Sequence, residues 1–129
     1  MATIKSFEDI EAWQKARSLS KEIFELTTVG TFSRDFGLRD QINRASGSIM
    51  DNIAEGFERS GTKEFIQFLA IAKGSAGEVR SQLYRALDRN HISPDQYAAL
   101  LESTIQISKM INKFIVYLRD ANLKGMKFH

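Results

Sequence analysis

Two histidines, His91 and His129, are the only imidazoles in the chain, and cysteine is absent. The histidines are too far apart for a His-x-x-x-His metal pair. Neither follows a glutamate at the Glu-x-x-His spacing that helical bundles use for di-metal centres. Without cysteine there is no disulfide, thiolate ligand or cysteine nucleophile. Ser46 and Ser48 lack the glycine-flanked setting of a nucleophile elbow. Gly74-Ser-Ala-Gly77 has the letters of a Gly-x-x-Gly phosphate loop, but it lies inside a strong helical pattern rather than between elements. Glu55, with Arg44 and Arg59 nearby, fits an Arg-paired structural carboxylate better than a catalytic one, because Arg44 and Glu55 fall on one helical side. His91 is a loop or capping residue on this reading. The chemistry-bearing residues therefore predict no enzyme, no metal and no cofactor.

Phosphate contact is the other chemistry available. Arg39, Arg80, Arg85, Arg89, Lys109 and Lys113 can attract RNA or DNA through charge, which gives salt-dependent, sequence-tolerant binding. The net charge is only +2, so composition alone does not mark a nucleic-acid binder. From Ser103 onward five basic residues face the single acid Asp120, a local +4 that leaves −2 on the rest of the chain.

One stretch, Gln41 to Arg59, organises the pattern. Leu38, Ile42, Ala45, Ile49 and Ile53 form an apolar row at helical spacing. Beside it Gln41, Arg44, Ser48, Asn52, Glu55 and Arg59 form a row of amides, a hydroxyl and both signs of charge. Such a row suits hydrogen bonding to another protein surface, with an ordinary solvated face as the alternative. Gly47 inside this helix calls for close approach of a neighbouring helix, since glycine costs about 1 kcal/mol there relative to alanine. Gly56 fits a C-terminal cap region.

The remaining elements are helical. Ser6-Phe-Glu-Asp9 resembles a helix start, and Ile10, Trp13, Ala16, Ser20, Ile23, Phe24 and Thr27 share one broad side of a helix from about Phe7 to Thr28. Gly30, Ser33 and Gly37 mark a break, with Phe32 and Phe36 expected to tuck the loop against the bundle. A third helix, about Lys63 to Asn90 with Thr62 as its cap, carries a stripe of Phe65, Phe68, Leu69, Ala72, Ala76, Val79, Leu83, Ala86 and Leu87. Opposite that stripe lies a row of small residues, Ala70, Gly74, Gly77 and Ser81, flanked by Ile66 and Tyr84. A helix with contacts on two sides suggests an oligomer interface, against the alternative of a water-facing row. Ser93-Pro-Asp-Gln96 has the letters of a capping box and opens a fourth helix ending near Ala121-Asn122. The pattern predicts an all-α, antiparallel up-down-up-down four-helix bundle over residues 1–122, with a basic tail over residues 123–129.

The 129 residues are 43% hydrophobic and 26% charged, ordinary values for a soluble domain with a proper core. No apolar run approaches the roughly 18 residues of a membrane span, and the first residues lack a signal-peptide h-region. A soluble, cytoplasmic protein without membrane contact is expected.

Arg44-Ala-Ser-Gly-Ser-Ile-Met-Asp-Asn-Ile-Ala-Glu-Gly-Phe-Glu-Arg59 resembles the four-helix bundle family named for proteins encoded in intervening sequences of bacterial 23S ribosomal RNA genes. Phe7-Glu-Asp-Ile-Glu-Ala-Trp13, Phe36-Gly-Leu-Arg-Asp-Gln41, Lys63-Glu-Phe65 and Ile71-Ala-Lys-Gly-Ser-Ala-Gly-Glu78 match in order and cover almost the whole chain. The resemblance implies a homopentameric ring of such bundles. It also implies a relative, the accessory variability determinant of diversity-generating retroelements, whose basic pentameric barrel binds nucleic acid and a reverse transcriptase. Gln41, Arg44, Asn52, Glu55, Gly56 and Arg59 match the family as structural or interface positions. This chain's modest net charge departs from the strongly basic retroelement relatives.

Two functions are thus in contention: a non-enzymatic, homo-oligomeric scaffold that binds RNA, DNA or a nucleic-acid enzyme, and a protein-interaction adaptor with no nucleic-acid role.

Overall fold

In the computed structural model, which describes residues 4–123, four α-helices follow one another: α1 Glu11–Thr27, α2 Phe36–Glu58, α3 Thr62–Asp88 and α4 Pro94–Leu123. Two short 3-10 turns, Phe7–Asp9 and Gly30–Arg34, precede α1 and α2, and no strand occurs among the described residues. Residues 124–129 of the expected basic tail lie outside the described residues, and Leu123 closes α4.

Each helix buries the row its spacing requires. Leu38, Ile42, Ala45, Ile49 and Ile53 of α2 meet Phe65, Leu69, Ala72, Ala76, Val79 and Leu83 of α3 in one core with Leu100, Ile107, Ile111, Ile115 and Leu118 of α4. The α1 stripe is rotated from the expected one. Ala12, Ala16, Leu19 and Ile23 are buried, whereas Phe24 is 59% exposed. Of the two loop phenylalanines, Phe32 is buried as expected, but Phe36 is 63% exposed. The expected first helix is also interrupted. Ser6 opens only the short turn, whose Asp9 carboxylate accepts hydrogen bonds from the Lys5 and Ser6 amides at 2.9 and 3.2 Å. The backbone then goes extended at Ile10, which buries its side chain before α1 begins.

Helix ends follow local chemistry. The Ser93 hydroxyl accepts from the Gln96 amide at 3.1 Å while the Gln96 side chain accepts from the Ser93 amide at 2.9 Å, a complete capping box before Pro94. The α3 C-terminus is a Schellman motif. Asn90 is left-handed at φ 59°, the Asn90 amide donates to Leu87 O and the His91 amide to Ala86 O. Asn90 is thus the residue that terminates α3 rather than its last turn. The α2–α3 turn places Ser60 in the same region at φ 70°, and the C-cap Arg59 amide donates to Gly56 O at 3.3 Å, so Gly56 lies in the last turn of α2.

Gly56 also lies hard against α3. A Cβ added to it would lie 2.7 Å from Phe68 Cβ and 2.8 Å from Phe65 Cδ1. Gly47, expected at such a contact, has nothing within 4 Å of the corresponding position. The two glycines therefore have opposite consequences on replacement. Gly56→Ala overpacks a buried contact and is expected to destabilise by about 1–3 kcal/mol. Gly47→Ala gains helix propensity in open space and is expected to stabilise by roughly 0.5–1 kcal/mol in guanidinium unfolding.

Candidate functional site

The mixed polar row of α2 meets α3 along much of its length. Ser48 Oγ and Ser75 Oγ hydrogen-bond at 2.9 Å, and Asn52 Nδ2 donates to Ser48 O at 2.8 Å and to Ser48 Oγ at 2.9 Å. Arg85 Nη1 donates to Gln41 Oε1 at 2.9 Å, and the Arg59 guanidinium lies 5.2 Å from the Phe68 ring centre. The expected Arg44–Glu55 pair is replaced by Glu55 with Arg59 at 3.6 Å, one helical turn apart and half exposed. Arg44 and Glu55 both reach solvent. Of this row, Gln41 and Ser48 hydrogen-bond to α3 of the same chain, while Asn52 bonds back to Ser48 within α2.

One atom of this seam is unsatisfied. Gln82 is 8% exposed, and among the described residues its Oε1 has no hydrogen-bond partner. It borders a shallow recess shared with Gln41, Arg44, Ser48 and Glu78. A buried acceptor without a donor costs about 1–3 kcal/mol. Sequence spacing gave no sign of it, because Gln82 sits at the edge of the apolar stripe, where a polar residue would be expected to reach water.

The small-residue row of α3 faces outward. Ala70, Gly74, Gly77 and Ser81 are all exposed, and a Cβ added at Gly74 or Gly77 would meet nothing within 4 Å. Ile71 and Tyr84 flank it, each 52% exposed, and the Tyr84 ring lies 5.3 Å from that of Tyr97 on α4.

Three of the six phosphate-contact candidates are tethered within the chain. Arg89 is ion-paired with Asp35 at 2.8 Å, Arg85 is bonded to Gln41, and Arg39 donates to Ser33 O at 3.0 Å and to Asp40 at 3.2 Å. Arg80, Lys109 and Lys113 remain exposed, the first on α3 and the others on α4.

Those tethers reveal a joint that sequence reading did not assemble. Asp35 Oδ1 accepts from the Leu38 amide at 3.3 Å, capping α2, while Oδ2 accepts from Arg89 Nη1 at 2.8 Å and is 2.9 Å from His91 Nε2. His91 Nδ1 lies 2.8 Å from Thr31 Oγ1, and the imidazole stacks on Phe32 with centroids 4.9 Å apart. The hydroxyl–imidazole–carboxylate order matches that of a nucleophile relay, but each member also holds an element end. Thr31 and Phe32 belong to the 3-10 turn, Asp35 caps α2, and His91 follows the Schellman turn of α3. Hydrogen bonds from His91 and then Arg89 hold Asp35 down at about 2.

Fold and surfaces together define a small all-α, four-helix protein with an unpartnered outward helix face and dispersed cations. The family described as 23S rRNA-intervening sequence protein matches residues 8–113, and the chain belongs to that family. A crystal structure of a protein with unknown function from the S23 ribosomal protein family of Bacteroides thetaiotaomicron is similar in fold. It is 23% identical with a TM-score of 0.74, over 81% of this chain and 97% of that one. No curated protein matches the chain.

The depressed Asp35 value predicts an acid limb in stability. The folded-state value of about 2 lies below the ordinary 3.8, so the contribution is complete above about pH 4 and is lost as pH falls towards 2. Asp35→Asn keeps a capping oxygen but removes the charge. Its denaturation midpoint is expected to be lower than wild type at neutral pH and to vary less between pH 4 and 2.

Proposed function

We propose that this protein is a non-enzymatic scaffold that acts as a homo-oligomer, a pentameric ring of antiparallel up-down-up-down bundles. The outward face of α3 is its subunit contact. The order of cross-helix pairs supports the antiparallel arrangement: Gln41 with Arg85, Ser48 with Ser75, and Gly56 against Phe65 and Phe68. The observation that carries self-association is the exposed row Ala70, Gly74, Gly77 and Ser81 between exposed Ile71 and Tyr84. Small residues let a second backbone approach closely, and the flanking apolar side chains gain from leaving water. The pentameric number comes from the family resemblance.

The scaffold binds RNA or DNA, or an enzyme acting on them, in the cytoplasm. Closing a ring repeats the exposed Arg80, Lys109 and Lys113 in every subunit, which multiplies a weak single-chain field. No described helix is long and apolar enough to cross a membrane.

Light scattering of the purified chain is expected to give five times the 14.6 kDa subunit mass. Gly77→Arg, placed in open space on the exposed row, is expected to give a single-chain mass with unchanged helix content. A wild-type chain that stays monomeric at micromolar concentration would sink the scaffold. An oligomer that ignores RNA and DNA at low salt but retains a protein partner after nuclease treatment would favour the adaptor.

A further inference from the structure

A groove lies between α1, the 3-10 turn Gly30–Arg34 and the first half of α2, with a volume of about 890 Å³. Three cations line it, Arg17, Lys21 and Arg39, against the single carboxylate Asp40. Phe24 lines it too, and its 59% exposure has no packing explanation within the chain. Arg39 lies with its guanidinium 4.7 Å from the ring centre of Phe36, itself 63% exposed. Asp40 is engaged by Arg39 at 3.2 Å, so Arg17 and Lys21 keep their charge uncompensated within the groove.

The floor is ordered by hydrogen bonds. Asn43 Nδ2 donates to Thr27 Oγ1 at 2.9 Å and to Arg39 O at 3.0 Å, and Thr27 Oγ1 donates to Phe24 O at 2.8 Å. These bonds fix the Asn43 amide and leave its Oδ1 with no hydrogen bond among the described residues. Cations set beside an exposed aromatic ring and a fixed amide acceptor suit one chemistry. A phosphate meets the cations, a planar base lies on the ring, and the amide oxygen accepts from an exocyclic amino group.

From this arrangement we infer that the groove is a binding site for a nucleoside phosphate, either a free nucleotide or an unpaired unit of a single strand. Phe24 is the stacking platform, Arg17 and Lys21 hold the phosphate, and Asn43 contacts the base. In its strand form this rests on the polynucleotide reading above, but it places contact on a different surface. The lining of the groove includes none of the outward small residues of α3.

Fluorescence anisotropy of the full-length protein with a labelled single-stranded RNA 12-mer and with the matching duplex, at about 50 mM salt, tests it. The single strand is expected to bind more tightly than the duplex. Phe24→Ala and the double variant Arg17→Glu/Lys21→Glu should each weaken it by about tenfold, with the equivalent double reversal Lys63→Glu/Arg119→Glu, at exposed cations outside the groove, changing it by less than about twofold. Circular dichroism confirms that the exposed substitutions keep the helices. Unlabelled AMP that displaces the strand identifies a free nucleotide as sufficient, and a strand that AMP does not displace identifies the polymer as the ligand. Wild-type binding that both groove variants retain overturns the groove and leaves the polynucleotide reading standing. Loss on charge reversal but not in Phe24→Ala reduces the site to general charge attraction and also overturns it. No binding by wild type of the RNA probes or of AMP, the latter followed by calorimetry, removes both.

Discussion

The close packing of α2 on α3 is the constraint on which the molecule depends. At Gly56 the two helices leave no room for a side chain, because Phe65 and Phe68 occupy the space a Cβ would need. Further along, Ser48 meets Ser75 hydroxyl to hydroxyl, with Asn52 completing the cluster. These partly buried groups need partners; Ser48 finds Ser75 on the other helix and Asn52 bonds back to Ser48 on its own. The seam is therefore both close and directional. A slip of α3 along α2 would strand these groups and drive the Phe65 ring into the space that Gly56 leaves open.

The far end of the bundle is secured differently. There the Asp35 carboxylate holds a helix start and a helix end together through Arg89 and His91, beside the buried Phe32 on which His91 stacks. The two devices divide the labour. Packing sets the spacing of α2 and α3, and electrostatics sets where their ends meet. The joint also positions the turn that carries Thr31 and Phe32, and that turn forms one wall of the α1–α2 groove.

Because the seam absorbs so much of the polar row, the surfaces left over have a clear division. α3 presents small and apolar residues outward, suited to a second copy of the chain. The α1–α2 side presents cations around an exposed phenylalanine, suited to an anion with a planar part. The groove's lining and the outward α3 row share no residue.

Much of the fold was legible in the order of residues. The apolar rows of α2, α3 and α4, the Ser93 capping box and the outward small residues of α3 all follow from a helix turning about 100° per residue. Local chemistry of that kind needs only neighbours in sequence. What needed the third dimension was every choice between equivalent faces. Phe24 and Leu19 both fit a plausible stripe on α1, and only packing against the other helices decided that Leu19 goes in. Gly47 and Gly56 carry the same intrinsic cost, and only the position of Phe65 and Phe68 showed which one a neighbour requires. Asp35 lies more than fifty residues before Arg89 and His91, so no spacing rule could have joined it to them. Sequence determines which side chains a helix brings into line; the tertiary structure decides what each line meets, because burial and hydrogen-bond satisfaction depend on residues distant along the chain.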